Sequence, residues 1–416
     1  MAAKPRVLFL EEDPSSLAQI QMEFGSLKNH WDMEFADGAE LALQKVQTGQ
    51  AYDAVVVDIA MRTEDSVQIF NALAARSPRT IRFALTDRAD EQRIMRSAAL
   101  AHQFVFSPCE SNTLRTQVSR ALSLREKLRA CPLRHKLHSV NALPPLPRLY
   151  SDVMREVHSA DPSVARVGAG IAKDVAMSAK LLQVVNSAGV GLRNEVTSVT
   201  QAAALLGLQR ISAMVLAVEV FNLVGGKPMP KGFSPESLWE HSLTVAEYAK
   251  RITRMQTDDV RAAEAAFTSG LLHDLGLILV VIHMPDQFNE ALTLAKKKNL
   301  CLLEAELDTL GATHAEVGGY LLELWGLQDA IVEAITFHDF PSHLPEQDYT
   351  TNTAQLDFPP LAAVHVANYF CEERQISHFG VPETTLDGAY LDGMSLTGRL
   401  DAWWTDCRDD DAFSRR

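Results

Sequence analysis

Apolar and polar positions follow two different schemes along this chain of 416 residues. In the first 125 residues, short continuous apolar runs alternate with segments of helical period. The runs are Val7–Leu10, Ala54–Val57, Ile81–Leu85 and Phe104–Phe106. They end at Glu11-Glu12-Asp13, at Asp58, at Thr86 and at Ser107-Pro108. Between them, Ser15–Phe24, Ala39–Gln47, Val67–Ala75 and Glu91–Ala98 carry the helical period. Continuous apolar strands alternating with helices predict a parallel sheet covered on both faces. From Asn141 the strand signals vanish and helical period dominates to Phe340. The successive prolines of Leu143–Pro147 forbid helix there, and Asp161-Pro162 reads as a helix start. Further helices are predicted over Leu238–Met255, Arg261–Leu272, Gln287–Lys298, His314–Leu324, Asp329–Thr336 and Leu361–Glu373. The organisation expected is an α/β domain over residues 1–125, a helical linker over 126–140, an all-α domain over 141–375 and an extension over 376–416. The last residues, Asp406–Arg416, read as a disordered charged tail.

Composition narrows the function classes. Hydrophobic residues make up 47% and charged residues 22%, which is globular composition and excludes a chain disordered throughout. The net charge of −14 argues against a surface built mainly to grip nucleic acid or an anionic membrane, so neither partner is expected. Lys127, Arg129, Arg134 and Lys136 make the linker locally basic, which reads as a solvated helix or a basic contact site. The five cysteines are dispersed and form no CxxC pair, as in reduced cytosolic proteins. The apolar run at Val7–Leu10 is too short for a signal peptide, and no apolar run approaches the roughly 18 residues of a membrane span. A cytoplasmic location is expected.

In an open parallel sheet, ligands sit beyond the carboxyl ends of the strands. Glu11, Glu12, Asp58, Thr86 and Ser107 fall at or just past such ends, and should converge in a shallow acidic pocket. Carboxylates so placed can hold a hard cation such as Mg²⁺, and one of them can accept a phosphoryl group. Val7–Pro14, Tyr52–Asp58, Leu85-Thr86 and Phe104–Pro108 resemble the receiver domain of bacterial response regulators, across about residues 4–122. The resemblance implies a doubly wound, five-stranded parallel sheet. It casts Asp58 as phosphoacceptor, Glu11 and Glu12 as the metal-binding acidic pair, Thr86 as the hydroxyl that follows the phosphoryl group and Phe104 as the aromatic switch. A histidine kinase would then be a partner, and a homodimer is implied. Three positions depart from the family. Ser107 stands where a lysine is usual, glutamates replace aspartates in the acidic pair, and Arg62 replaces a proline. Two readings follow: a phosphorylated receiver, or a receiver fold kept for docking or dimerisation.

Histidines mark the helical region. His241 lies one turn into an amphipathic helix, His273-Asp274 follows an apolar run, His314 opens a helix, and His338-Asp339 ends another. A lone histidine on an apolar face is usually a satisfied core residue, but four on four helices, two followed by Asp, suit a transition metal in a bundle. Such a metal could activate water for attack on phosphorus. Leu143–Pro147, Lys173-Asp174, Ala179–Leu182, Asn186–Ala188, Leu205–Leu208, Leu238–Ser242, Gly270–Gly276, Gly311–Gly318 and Trp325–Leu327 resemble, in order, the HDOD output domain, a variant of the HD superfamily of metal-dependent phosphohydrolases. The resemblance makes His241, His273, Asp274, His314, His338, Asp339 and Asn368 the metal-ligand positions, for iron, manganese or zinc. Asn368 stands where active relatives carry an aspartate that closes the site, and Leu277 stands where a phosphate-contacting lysine is common. With bridging and phosphate-handling groups absent, the reading is a non-catalytic regulatory module of a response regulator that binds signalling proteins. The alternatives are a metal-dependent phosphohydrolase acting on a phosphodiester and a nucleotide-sensing module.

Overall fold

The computed structural model describes residues 4–61, 63–77, 80–87, 100–107, 114, 115, 117–119, 121, 122, 146–157, 159, 161–186, 196–225, 229, 230, 233–344, 356–374 and 385–409. The expected helix over 91–98, the basic linker 126–140, Arg62, Pro144, Pro145, Cys109, Cys131 and residues 410–416 lie outside them, as does the side chain of Ser107. The chain divides into two compact units, Met1–Ser151 with Glu323–Gly326 and Asp152–Leu322 with Leu327–Arg416.

The first unit is a five-stranded parallel sheet: β1 (Arg6–Leu10), β2 (Asp32–Ala36), β3 (Ala54–Asp58), β4 (Ile81–Asp87) and β5 (Gln103–Ser107), in the order β2-β1-β3-β4-β5. Among the described residues, the helices with it include α1 (Pro14–Glu23), α2 (Ala39–Thr48) and α3 (Thr63–Arg76). Asp13 caps α1, its Oδ2 accepting the Ser16 N–H at 2.8 Å with Pro14 at the first helical position. β1 and β3 are buried on both faces, as their continuous apolar runs predict. β2 carries no such run. As the edge strand it alternates Asp32 and Glu34 with Met33 and Phe35, and its acids pair with Arg6 and Lys45 (Arg6 Nε to Asp32 Oδ2, 3.1 Å; Lys45 Nζ to Glu34 Oε2, 2.5 Å). The order reverses between β1 and β3, so their carboxyl ends open the crevice where such sheets bind ligands.

The second unit is helical. Its earlier part holds α4 (Arg148–Val157), α5 (Val164–Ile171), α6 (Val175–Val185), α7 (Val199–Leu206) and α8 (Leu208–Asn222). The start expected at Asp161-Pro162 is displaced: Ser163 caps α5, its Oγ accepting the Arg166 N–H at 3.3 Å. Next come α9 (Pro235–Gln256), α10 (Val260–Leu272), α11 (Leu275–His283), α12 (Pro285–Lys298), α13 (Leu302–Thr309), α14 (His314–Leu324) and α15 (Asp329–Phe337). After them follow α16 (Pro360–Glu373), α17 (Gly388–Gly393) and α18 (Leu400–Asp409). α11 was not expected from the pattern, because its residues 275–281 are apolar and buried on every side and so carry no helical period. Together α10 and α11 form an apolar stretch long enough to cross a membrane by length and composition, yet 89% of its window lies inside the unit.

The end of the chain also departs from expectation. Asp406–Asp409 are helical, and Arg251 of α9 anchors them through Nε to Asp406 Oδ2 at 3.0 Å. Trp403 of α18 is fully buried in a core shared with α9 and α16. Two glycines bring helices close to the future site. A methyl group at Gly270 would lie 2.7 Å from Ala246 Cα, and one at Gly276 would lie 1.9 Å from the His314 carbonyl oxygen. Only glycine lets α10 cross α9, and α11 meet the start of α14, at these distances.

Candidate metal centre

Helix ends place the ligands. His241 is on α9, His273 caps the C-terminus of α10, Asp274 starts α11, His314 opens α14, and His338 caps α15 with Asp339 next. All six are buried, none more than 4% exposed. Asp274 is the centre. Its Oδ2 lies 3.1 Å from His273 Nε2 and 3.7 Å from His241 Nε2. Its Oδ1 lies 3.2 Å from His314 Nε2 and 3.7 Å from His338 Nε2. Asp339 Oδ2 closes the second side, 3.1 Å from His338 Nε2 and 3.7 Å from His314 Nε2. His241 and His273 Nε2 stand 3.2 Å apart. Two groups of three ligands result, His241–His273–Asp274 and Asp274–His314–His338, each with its atoms within 4.8 Å of one another. The two Asp274 oxygens thus face different pairs of imidazoles, Oδ2 towards His273 and His241 and Oδ1 towards His314 and His338. Asn368 itself is buried on α16.

The other ring nitrogens explain why the Nε2 atoms converge. His273 Nδ1 donates to the Gly270 carbonyl at 2.7 Å, and His338 Nδ1 to the Ile335 carbonyl at 2.8 Å. A carbonyl only accepts, so each Nδ1 carries the proton and each Nε2 is left as a donor pair aimed at the centre. His314 Nδ1 meets Glu306 Oε2 at 2.9 Å, and the same oxygen accepts the His314 backbone N–H at 2.9 Å. Glu306, on α13, is fully buried. Histidines held this way by carbonyls and carboxylates are the outer shell that metal sites use to orient their ligands.

The charges respond to this packing. Burial opposes the charge on Asp274, but His273 and then His314 outweigh it and hold the carboxyl well below the usual carboxylate range. Burial likewise opposes a charged His314, yet Glu306 and Asp274 push the imidazole well above 6.5. His338 is raised by Asp339 and Asp274 against burial, and Asp339 is lowered by His338 against burial. Without a metal, the site balances its carboxylates with imidazolium protons. His338 Nε2 and Asp339 Oδ2 face each other at 3.1 Å, with His314 Nε2 3.7 Å from the same oxygen. A set of imidazoles and carboxylates converging this closely fits a transition-metal ion, which would replace the protons as the positive charge. His241, His273, Asp274, His314, His338 and Asp339 can hold such an ion, which would supply Lewis acidity or a structural cross-link between helix ends.

The sheet unit gathers less. Glu11, just past β1, is 4% exposed, and its Oε1 accepts the Asp13 N–H at 2.9 Å. Burial pushes its carboxyl up to about 7, helped by the charge of Asp58 and opposed by the Asp13 N–H. Asp58 ends β3, half-buried, with Oδ1 accepting the Ala60 N–H at 2.8 Å. Thr86 is buried on β4 opposite Phe106, and Phe104 on β5 pairs with Ala84 and packs against the sheet core. Glu12 is exposed. The structure thus brings Glu11 and Asp58 together. Among the described residues, both three-ligand groups fall in the helical unit.

One residue against the centre was not singled out from sequence: Glu306. Glu306 sits in a short helix whose polar face looks solvated, and only its burial reveals a role.

The second unit is helical, and its His and Asp side chains converge on one buried centre. Residues 143–341 match the HDOD domain family, and the chain carries an HDOD domain there. A solved structure of an HDOD domain protein of unknown function from Geobacter sulfurreducens is 20% identical, with a TM-score of 0.50, covering 71% of this chain and 98% of its own. A Marinobacter aquaeolei VT8 protein, assigned provisionally to signal transduction, is 15% identical with a TM-score of 0.52, covering 85% of this chain and 83% of its own. At these identities the likeness shows the fold. An uncharacterised protein of Treponema pallidum (strain Nichols) is 23% identical over 210 residues, and the match spans 50% of this chain and 40% of that protein's length.

Proposed function

We propose that this chain is a two-part signalling protein. The sheet unit receives a signal as a receiver-like domain, and the HDOD unit passes it to protein partners as a non-catalytic regulatory module. Its His/Asp centre holds one or two iron, manganese or zinc ions in a structural or regulatory role. One observation carries the non-catalytic reading: every ligand is at least 96% buried, so the centre is closed over. Catalytic metal sites keep an open position for water or substrate, and structural ones do not. Leu277, where the resemblance expects a phosphate-contacting lysine, is fully buried and offers a phosphate no charge.

The test is metal content of the full chain purified without chelator, with Asp274→Ala as control, followed by phosphodiesterase assay on bis(p-nitrophenyl) phosphate. The expected result is metal in the wild type, background metal in the variant, and no turnover in either. Turnover that disappears in Asp274→Ala would establish the phosphohydrolase reading instead.

For the sheet unit, docking or dimerisation is favoured over phosphorylation. A Glu11 carboxyl that is half-protonated near pH 7 is a weakened Mg²⁺ ligand. The phosphorylated-receiver reading rests on Asp58, which ends β3 beside Glu11 at the point where the strand order reverses. Incubation with acetyl phosphate and Mg²⁺, read by intact mass with Asp58→Asn as control, separates the two. A phosphoryl adduct lost in Asp58→Asn would restore the phosphorylated receiver.

A further inference from the structure

The matched HDOD residues end at 341, yet the structure continues the metal centre beyond them. His338 caps α15, so its carbonyl is one of the helix-end acceptors that the helix cannot satisfy. It accepts from His365 Nδ1 at 2.6 Å. Since that nitrogen carries the proton, Nε2 of the same neutral ring must accept, and it takes the Asp387 backbone N–H at 2.8 Å. His365 is fully buried, and burial lowers its basicity, in keeping with a neutral ring. The Asp387 carboxylate then reaches back. It accepts the Ser342 N–H at 2.9 Å and the Ser342 hydroxyl at 2.9 Å, and Oδ1 caps α17 through the Tyr390 N–H at 3.1 Å.

The turn His338–Ser342 is therefore held at both ends by one residue. Asp387 grips Ser342 directly, and grips the His338 carbonyl through the His365 ring. His338 and Asp339, whose side chains face each other at 3.1 Å, lie on the stretch held by those grips. The segment that supplies Asp387 is itself fixed to the helices of the centre. Tyr390, Leu391 and Trp403 join the core formed with α9 and α16, and α9 carries His241.

We propose that His365 and Asp387 are positioning residues of the metal centre, so that the segment 385–409 is a working part of it and holds His338 and Asp339 in their ligating arrangement. The proposal rests on the reading of the His/Asp cluster as a metal site. Detaching the segment loosens one side of the site, Asp274–His314–His338 with Asp339. The other side, His241–His273–Asp274, keeps its own supports at Gly270 and on α9.

The test compares full-length wild type, His365→Phe, His365→Gln and Asp387→Ala, with Arg251→Ala as a control that releases α18 and leaves the clamp intact. Zn²⁺ affinity is measured by chelator competition, and amide hydrogen exchange of 338–343 is measured in chelator. Outer-shell changes typically cost about tenfold to hundredfold in metal affinity. A loss of that size is expected for His365→Phe and Asp387→Ala, with partial recovery in His365→Gln and none of the loss in Arg251→Ala. Exchange of 338–343 should rise in the same order without metal. Wild-type affinity and wild-type exchange in His365→Phe and Asp387→Ala would overturn the proposal. Equal losses in Arg251→Ala would also overturn it, since the effect would then be general loosening. If the wild type takes up no metal, the metal reading fails by itself, and the exchange measurement still decides whether the clamp exists.

Discussion

The chain carries two clusters of carboxylates at the ends of its secondary structure, and they are built to different standards. In the sheet unit, Glu11 and Asp58 each receive a backbone N–H, and Glu12 faces solvent. In the helical unit, His273, His314 and His338 are each held through the nitrogen that faces away from the centre, by Gly270, Glu306 and Ile335. Even the carbonyl of His338 is held, by His365. The first cluster pairs a buried Glu11 with a half-buried Asp58, each oriented by a single printed backbone N–H. The second is over-determined, its ring orientations chosen by groups that touch no ligand atom. A site that must hold an ion in one geometry needs the second arrangement, and a surface that must respond to a partner can use the first.

The comparison breaks most readily at Asp274. In chelator, Asp274→Ala leaves several imidazoles around an empty centre. Removing one member of a buried charge pair costs about 3–5 kcal/mol, so urea unfolding should shift by that order. A neutral effect would mean that the centre is not held by its charges. Glu306→Gln comes next. It keeps an acceptor for His314 but removes the negative charge, and Zn²⁺ binding should weaken about tenfold while the fold is retained. Unchanged affinity would reduce Glu306 to a packing residue.

The smallest effect is expected in the sheet. The Glu11 carboxyl titrates near 7 when folded, above the 4.5 of an ordinary glutamate. Folding then favours the protonated form. That contribution is fully present below 4.5 and is lost as pH rises through about 7. Without Mg²⁺, hydrogen exchange in β1 and β3 should therefore quicken as pH climbs from about 5 to about 8, beyond the intrinsic rate, and Glu11→Gln should flatten the dependence. A wild-type profile that matches Glu11→Gln would show that burial does not strain this carboxyl.

Much of this was legible beforehand where the signal was local. Four strands were continuous apolar runs, and the ligands stood out because His-Asp pairs followed apolar helices. β2 was hidden because an edge strand faces water and mixes Asp32 and Glu34 into its run. α11 was hidden for the opposite reason, since a helix buried on all sides has no polar face to mark its period. Asp406–Asp409 read as tail because charge suggests solvent, yet Arg251 draws Asp406 into an ion pair from 155 residues away.

The sequence by itself determined which segments could be strands or helices, which helix ends carried ligand-type side chains, and that an α/β region precedes an all-α one. These follow from period, capping residues and side-chain chemistry, all set by near neighbours. Only the tertiary structure decided that Asp274 stands between two sets of imidazoles, that Glu306 is a buried partner of His314, and that Asp387 and His365 clamp the turn bearing His338. Those relations join residues as far as 64 positions apart. Whether a polar side chain is solvated or buried against a partner depends on what the rest of the chain packs over it.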